Sequence, residues 1–429
     1  MSEYKILDRE IAISSSETSG NFAVILDLEC PAGTQEREAL LRFELSGDPG
    51  PLTGTGLMRS GNPRAAYFTY THTGVGVVQS RSEVKLPDSI KCLSITLVPW
   101  VSKSEATKVR RVSIEKVADH ATSESGNVFK TVRNISRFDC DVFQHESINC
   151  FFDAESLHSG LHVINCNGLP LEIMYNSKSA ATTSIVFNAA LGISTQEVPR
   201  FMAGPTFAGL KTNTISVFDA CLYTDDSLML AWYGGSAKFE MQALLPGLLQ
   251  KFVTDAGGER TLLFGASGGG FAALFYSQFF PRSTVVAVNP QTILDNYLPR
   301  IVEAYARACW GAGSEEKAVE VLAARMCPDL RRLPDWAGHC VVYVQNSTDD
   351  HVDKHLLPFL TATRVPNLHL LMDKWGAGHV SPPKELIGQV LTILLNEETR
   401  WESLLGDLGS MSAPTENQIR ERVCALGLA

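Results

Sequence analysis

The 429-residue chain has no apolar run of membrane-spanning length. Its first ten residues carry charges where a secretion signal needs an apolar core, so we expect a cytoplasmic protein with no integral membrane segment. An excess of basic residues is also lacking, because the formal net charge is −10. A chain this acidic is not expected to take nucleic acid or an anionic membrane as its main partner.

Paired cysteines are lacking as well. The chain has 10 cysteines, but none forms a Cys-x-x-Cys pair and none has zinc-like spacing. In a reducing compartment we expect most of them to be buried free thiols. The sequence also contains no internal repeat and no low-complexity tract, and its composition is that of an ordinary globular protein. Because 429 residues exceed the usual size of one core, we expect two domains.

The first part of the chain has short β-type segments separated by turn residues and no long helical period. In Ala39 to Leu45, apolar residues alternate with Arg42 and Glu44, as in a strand with one buried face. We therefore expect a small all-β sandwich over residues 1–115. Tyr67, Tyr70 and Trp100 are candidates for carbohydrate contacts, and packing in a core or between domains is the other interpretation.

After the charged stretch from Ser102 to Asn134, short aliphatic runs alternate with helical patterns. This predicts an α/β domain with a mostly parallel sheet over residues 135–402, followed by a C-terminal tail over 403–429. The predicted strands are 161–164, 171–174, 184–187, 214–218, 262–264, 285–288, 341–344 and 368–371, and the predicted helices include 241–253, 298–309 and 384–396.

A glycine-rich turn at the centre of this domain carries the strongest motif. Gly265, Ser267 and Gly269 form Gly-x-Ser-x-Gly between an apolar strand and a helical pattern. In a nucleophile elbow of this kind, the serine lies on a strained turn and small neighbours are required.

Phosphate binding is the competing interpretation of the same turn. Gly268, Gly270 and Ala273 match the dinucleotide fingerprint, but the next strand ends in Asn289-Pro290, without the acidic residue that would bind a ribose. No Gly-Lys-Ser/Thr follows either, so the Walker pattern fails. We expect no cofactor.

A nucleophilic serine needs a base and a carboxylate that orients the base. Two later strands end in Asp349-Asp350 and in the segment that carries His379. The order Ser267, Asp349 or Asp350, His379 is the one used at the carboxyl edge of α/β-hydrolase sheets. Asp349 is favoured because Val352, three residues later, returns to the core.

With these three motifs in this order, residues 160 to 400 resemble the α/β-hydrolase superfamily. The resemblance implies an oxyanion hole made by the backbone amide of Gly268 and by one from the loop after Ser184 to Phe187. This sequence has Asn188-Ala189 where the family commonly has His-Gly, so Ala189 is the expected donor and Asn188 an expected binding residue. Tyr233-Gly234-Gly235 is the second candidate for the loop.

The glycine motif, with Gln345-Asn346, His351, His355 and Pro358-Phe359, is similar to a cytoplasmic bacterial subgroup. Its members accompany surface-polysaccharide or glycoprotein biosynthesis and export, and include the accessory Sec acyltransferase-like component. We place Tyr233 and His351 at the binding site. His351 and His355 have metal-ligand spacing, but the glutamate of a metalloprotease helix is missing, and no metal is expected.

The sequence thus predicts a serine esterase or deacetylase acting on a small-molecule or glycan acyl ester through Ser267, His379 and Asp349. One alternative is an O-acyltransferase that uses the same chemistry, and another is a non-catalytic scaffold in an export or glycan assembly. The β-sandwich is expected to affect acceptor choice rather than chemistry. No feature of the sequence predicts an oligomeric state.

Overall fold

The chain forms two compact units, residues 1–128 and 129–429. A computed structural model describes residues 11–14, 18–30, 39–48, 57–59, 67–71, 76–87, 89–99, 108–116, 132–192, 195, 197–202, 204–226, 228–313, 317–333, 336–396 and 401–426. Among these residues no helix is both long enough and apolar enough to cross a membrane.

The described part of the first unit consists of antiparallel strands in two sheets. One sheet has the order β1-β8-β4-β6-β5, with β2 also paired to β8, and the other has the order β7-β3-β9. The strands are β1 (Ile11–Ser14), β2 (Thr18–Ser19), β3 (Asn21–Cys30), β4 (Ala39–Leu45), β5 (Met58–Arg59), β6 (Tyr67–Thr71), β7 (Gly76–Lys85), β8 (Lys91–Pro99) and β9 (Lys108–Lys116).

The two sheets share one apolar core, as expected for a sandwich. Alternate side chains of β3 and β4, such as Val24 and Phe43, are buried in it because successive strand residues point to opposite faces. Tyr67 is 6% exposed, belongs to this core and donates a hydrogen bond to Asp48, so it is not an exposed sugar-binding aromatic. The side chain of Tyr70 and all of Trp100 lie outside the described residues.

The second unit is built on a sheet of 10 described strands in the order β11-β12-β13-β16-β14-β17-β18-β19-β20-β21. The short strands β10 and β15 pair separately with each other. The strands are β10 (Val132–Arg133), β11 (Val142–His145), β12 (Gly160–Cys166), β13 (Leu169–Asn176), β14 (Thr182–Phe187), β15 (Glu197–Val198), β16 (Asn213–Val217), β17 (Arg260–Ala266), β18 (Thr284–Val288), β19 (Cys340–Asn346), β20 (Asn367–Asp373) and β21 (Met411–Ser412).

This sheet is mixed, which corrects the prediction of a mostly parallel one. β13 runs antiparallel to both neighbours, and β21 runs antiparallel to β20. The reason at β13 is local: Asn167-Gly168 connects it to β12 in a two-residue turn, and both turn residues have positive φ. A turn this short can join only antiparallel strands, and Asn-Gly is its preferred sequence.

Helices connect the strands and cover the sheet. The segments predicted as helices correspond to α3, α5 and α8, and all eight predicted strands are present. The helices are α1 (Ile148–Phe152), α2 (Gly204–Ala208), α3 (Met241–Asp255), α4 (Gly268–Ser277), α5 (Pro299–Trp310), α6 (Ala318–Ala323), α7 (Leu357–Ala362), α8 (Lys384–Leu395), α9 (Trp401–Asp407) and α10 (Glu416–Ala425).

The central strands are apolar on both faces because separate cores lie on the two sides of the sheet. Along β19, Val341 and Tyr343 contribute to one core and Val342 and Val344 to the other. The predicted burial of cysteines is confirmed only in part. Among the described residues, Cys92, Cys166, Cys221 and Cys309 are buried, whereas Cys140, Cys150 and Cys424 are exposed free thiols.

The turn between β17 and α4 depends on backbone contact between glycines. A β-carbon added at Gly265 would lie 2.0 Å from the carbonyl oxygen of Gly269. One added at Gly269 would lie 2.5 Å from the carbonyl oxygen of Asn188, at the end of β14. The first turn of α4 therefore packs directly against the ends of two strands, and no side chain fits between them.

We expect Gly265→Ala to lose about 3 kcal/mol or more of unfolding free energy, because its methyl group would meet rigid backbone. The matched control is Gly388→Ala in α8, where an added β-carbon meets nothing within 4 Å. Alanine is the better helix former by about 0.5–1 kcal/mol, so the control should be stabilised. Urea unfolding measures both, and a Gly265→Ala protein as stable as wild type would contradict the glycine contact.

Candidate active site

Ser267 lies in the turn between β17 and α4 with a strained backbone. Its φ is 54° and its ψ is −117°, a combination that a residue with a β-carbon rarely adopts. The Ser267 amide donates to the carbonyl of Val288 at 2.8 Å, which ties the turn to the end of the neighbouring strand β18. The serine is 8% exposed and stands at the carboxyl edge of the sheet.

The structure brings together the three predicted residues Ser267, His379 and Asp349. Ser267 Oγ is 3.1 Å from His379 Nε2, and His379 Nδ1 is 2.6 Å from Asp349 Oδ2. The side chain of Asp349 is 0% exposed, whereas that of His379 is 43% exposed. This is the continuous serine-imidazole-carboxylate chain that serine nucleophiles require.

Of the two adjacent aspartates, Asp349 faces the imidazole. Its second oxygen, Oδ1, accepts the backbone amide of His351 at 3.1 Å, so both carboxylate oxygens are engaged. Asp350 points outward, is 61% exposed and pairs with Lys354 at 2.5 Å. Burial alone would raise the pKa of the Asp350 carboxyl, but the hydrogen bond and charge of the Lys354 ammonium, together with nearby groups, outweigh burial and lower that pKa.

Amide side chains hold the segment that carries His379. Asn346, at the end of β19, donates to the carbonyl of Gly378 at 2.6 Å and accepts the amide of Trp375 at 3.0 Å. Asn289, after β18, donates to the carbonyl of Val380 at 2.8 Å and accepts the amide of Asn346 at 2.7 Å. The position of the imidazole is therefore set from both sides by hydrogen bonds to strand ends.

Of the two predicted oxyanion donors, Gly268 lies at the first position of α4, where helix amides have no partner within the helix. Leu230 packs over it, since an added β-carbon at Gly268 would lie 2.3 Å from Leu230 Cδ1. The amide of Ala189 instead donates to the sulfur of Met202 at 2.8 Å. Ala189 is thus occupied in this structure, and Met202 would have to move for its amide to bind an oxyanion.

The polar side-chain groups of Asn188 and Tyr233 are occupied by hydrogen bonds within the protein. Asn188 Oδ1 accepts the amide of Met202 at 2.6 Å, and its Nδ2 donates to the carbonyl of Arg200. The Tyr233 hydroxyl accepts the amide of Asn188 at 2.6 Å and donates to the carbonyl of Val217 at 3.0 Å. Both residues hold the loop after β14, and neither predicted binding role matches these contacts.

A buried carboxylate supports the loop that contains Tyr233. Asp219 accepts the amides of Tyr233 at 2.7 Å and Cys221 at 3.0 Å. Burial raises the pKa of the Asp219 carboxyl to about 6. Trp232 and Tyr233 both have positive φ, and the Asp219 contact lies directly at this strained pair.

His351 lies behind the predicted base. Its ring centroid is 4.4 Å from that of His379, and its Nδ1 is 3.1 Å from the carbonyl of Asn289, to which it donates. Burial lowers the pKa of the His351 imidazole, which favours the neutral form. His351 is 3% exposed and contacts His379, so it is not a binding residue on the surface of the protein.

Asp349, His351 and His379 offer ligand atoms within 4.8 Å of one another, a spacing that metal sites also use. The 2.6 Å contact between Asp349 and His379 is a hydrogen bond. Two ligands of one tetrahedral zinc ion, each about 2 Å from the metal, stand about 3 Å apart. The serine-histidine-aspartate chain therefore accounts for the cluster.

His355, the other histidine with metal-ligand spacing, is buried. Burial lowers the pKa of its imidazole to about 3, and its Nδ1 accepts the amide of Thr292.

No role for Gln291 is predicted from the sequence, but this residue contacts Ser267 directly. Its Nε2 lies 3.0 Å from Ser267 Oγ, and the residue is 0% exposed. The sequence feature that could have indicated Gln291 is its position, as a polar residue shortly after the buried strand β18, at the edge of the sheet where Ser267 lies. That signal is weak, because polar residues follow most strands.

No protein-family model and no curated protein matches the chain. Solved structures that resemble parts of it include the capsule O-acetyltransferase of Neisseria meningitidis serogroup A, at 14% identity and TM-score 0.37, covering 50% of this chain and 89% of that one. Est1E from Butyrivibrio proteoclasticus matches at 15% identity and TM-score 0.36, covering 55% and 98%. A bifunctional GH43-CE protein of Bacteroides eggerthii matches at 8% identity and TM-score 0.32, covering 91% and 57%.

The elbow at the carboxyl edge and the order serine, aspartate, histidine give the second unit an α/β-hydrolase type of fold. The predicted resemblance is therefore confirmed at the level of the fold. The chemistry of the site is inferred from the geometry of its own residues.

We expect Asp349→Asn to lower kcat for an activated ester by about 10³- to 10⁴-fold, because an amide stabilises the wrong imidazole tautomer. The neighbouring change Asp350→Asn is the matched control and should leave kcat close to wild type, since Asp350 contacts solvent and Lys354. Hydrolysis of p-nitrophenyl acetate measures both. A mild Asp349→Asn and a damaging Asp350→Asn would reverse the assignment.

Proposed function

We propose that the protein is a serine-dependent acyl hydrolase that cleaves carboxylic esters. The observation that carries the proposal is the chain of contacts from Ser267 Oγ through the His379 imidazole to the buried Asp349 carboxylate. A strained serine at the N-terminus of a helix, with an imidazole at hydrogen-bond distance, is the arrangement that an activated hydroxyl nucleophile needs. A purely structural serine would not need this strain.

In the first half of the reaction, His379 Nε2 takes the proton of Ser267 as the oxygen attacks the ester carbonyl. Asp349 keeps the other ring nitrogen protonated and stabilises the imidazolium that forms. The C–O bond to the leaving group then breaks, and His379 returns the proton to the departing alcohol. The product of this half is an acyl ester on Ser267.

The negative charge that develops on the carbonyl oxygen needs donors close to Ser267. The backbone amide of Gly268 is one, and the start of the ten-residue helix α4 adds the positive end of its dipole. In the second half, His379 deprotonates a water molecule, which attacks the acyl carbonyl. The bond from that carbon to Ser267 Oγ then breaks, His379 returns the proton to Oγ, and the acid is released. The 43% exposure of His379 is consistent with access for that water.

An acceptor hydroxyl can replace water in the second half, which converts hydrolysis into acyl transfer without a change in the catalytic residues. The sequence resemblance to proteins that accompany glycan biosynthesis makes O-acylated sugars the first natural substrates to test. Product analysis with and without added sugar separates the two outcomes, because transfer gives an acylated sugar and hydrolysis gives the free acid.

We expect a fluorophosphonate probe to label the wild-type protein once and to leave Ser267→Ala unlabelled, as measured by intact mass. Turnover of p-nitrophenyl acetate should fall by several orders of magnitude in the same variant. Ser347→Ala is the matched control. Ser347 is also buried and lies two residues before Asp349, but it does not contact His379 in the described structure. Equal labelling of wild type and Ser267→Ala would refute the nucleophile.

A further inference from the structure

Gln291 is fixed in place by contacts at both ends of its side-chain amide. Its Nε2 donates to Ser267 Oγ at 3.0 Å, and its Oε1 accepts the indole N–H of Trp232. The Gln291 backbone amide also donates to the carbonyl of Ser267 at 3.3 Å. Because an indole nitrogen can only donate, the contact with Trp232 fixes which end of the amide faces the serine.

This arrangement has a direct consequence for the serine proton. A hydroxyl has one proton to donate and lone pairs that accept. With an amide N–H of Gln291 pointing at Oγ, the serine proton cannot point toward Gln291 and is left to the other polar neighbour, His379 Nε2 at 3.1 Å. That direction requires Nε2 to be unprotonated and Nδ1 to donate to Asp349, which is the tautomer a general base needs.

We infer that Gln291 is a fourth catalytic residue. Its amide donates to the nucleophilic oxygen, directs the serine proton to His379 and stabilises the negative charge on that oxygen as the proton leaves. The inference rests on the serine mechanism proposed above. The donor serves again when the acyl ester on Ser267 breaks, because Oγ is then the leaving group and regains negative charge before it is protonated.

Two substitutions of similar size test the role. Gln291→Met removes the donor and keeps most of the volume, so we expect kcat/KM for p-nitrophenyl acetate to fall about 10- to 100-fold, as for loss of one hydrogen bond to a charged atom. The rate of fluorophosphonate labelling at Ser267 should fall with it. The matched control is Gln345→Met, a buried glutamine at the end of the adjacent strand β19 that bonds to the carbonyl of Asn346. It should label at the wild-type rate.

Gln291→Glu supplies a readout that a structural role would not change. The protonated carboxyl can donate to Ser267 and accept from Trp232, as the amide does. The ionised carboxylate can only accept, so it would turn the serine proton away from His379. Burial raises the pKa of a carboxyl, so the change should fall in the measurable pH range. The ionisable groups around this position in the described structure are Tyr297 on the same connection, His355, which accepts the amide of the next residue Thr292, Asp349 and His351 after β19, and His379 after β20.

We expect the ratio of Gln291→Glu activity to wild-type activity to decline as pH rises, because the introduced carboxyl loses its proton and the wild-type amide does not titrate. If Gln291→Met and Gln345→Met are labelled at the same rate, or if Gln291→Glu has the wild-type pH profile, Gln291 does not have the inferred role. The serine mechanism would still stand in either case. Absence of wild-type labelling would refute the serine mechanism itself. If Gln291→Met fails to fold, the glutamate variant, which keeps both hydrogen bonds when protonated, decides.

Discussion

The close backbone contact between Gly265 and Gly269 is the constraint on which the rest of the site depends. It lets α4 start directly above the end of β17 and against the end of β14. Ser267 then has no relaxed conformation available, and its φ of 54° is maintained by the packing of its neighbours. The conformational strain of this turn costs free energy, and burial of the central strands on either side offsets that cost. The apolar side chains of these strands form cores on both faces of the sheet.

Three uncharged amide side chains hold the groups around the serine. Asn289 and Gln291 follow β18, and Asn346 ends β19, so all three come from neighbouring strand ends. Each provides a donor and an acceptor in a fixed plane, and none of them titrates. The imidazole of His379 and the hydroxyl of Ser267 are thus oriented by contacts that do not change with pH.

Two buried carboxylates lie near the site. Asp349 has both oxygens engaged, by His379 and by the backbone amide of His351. Asp219 accepts two backbone amides, and burial raises the pKa of its carboxyl to about 6. An ionised carboxylate in this position costs stability, and its contact with Tyr233 holds the strained residues Trp232 and Tyr233. Through Trp232 the same loop contacts Gln291, which in turn contacts Ser267.

The sequence by itself determined the buried strands, the elbow and the identity of Ser267 and His379 as partners, because apolar runs, glycine spacing and strand-end position are local properties. The geometry also selects Asp349 over Asp350, as the return of Val352 to the core indicated. Only the tertiary structure decided the occupied amide of Ala189 and the contact of Gln291 with the serine. The contact of Ala189 with Met202 joins residues 13 positions apart, and that of Gln291 with Ser267 joins residues 24 positions apart, so no local pattern records either one.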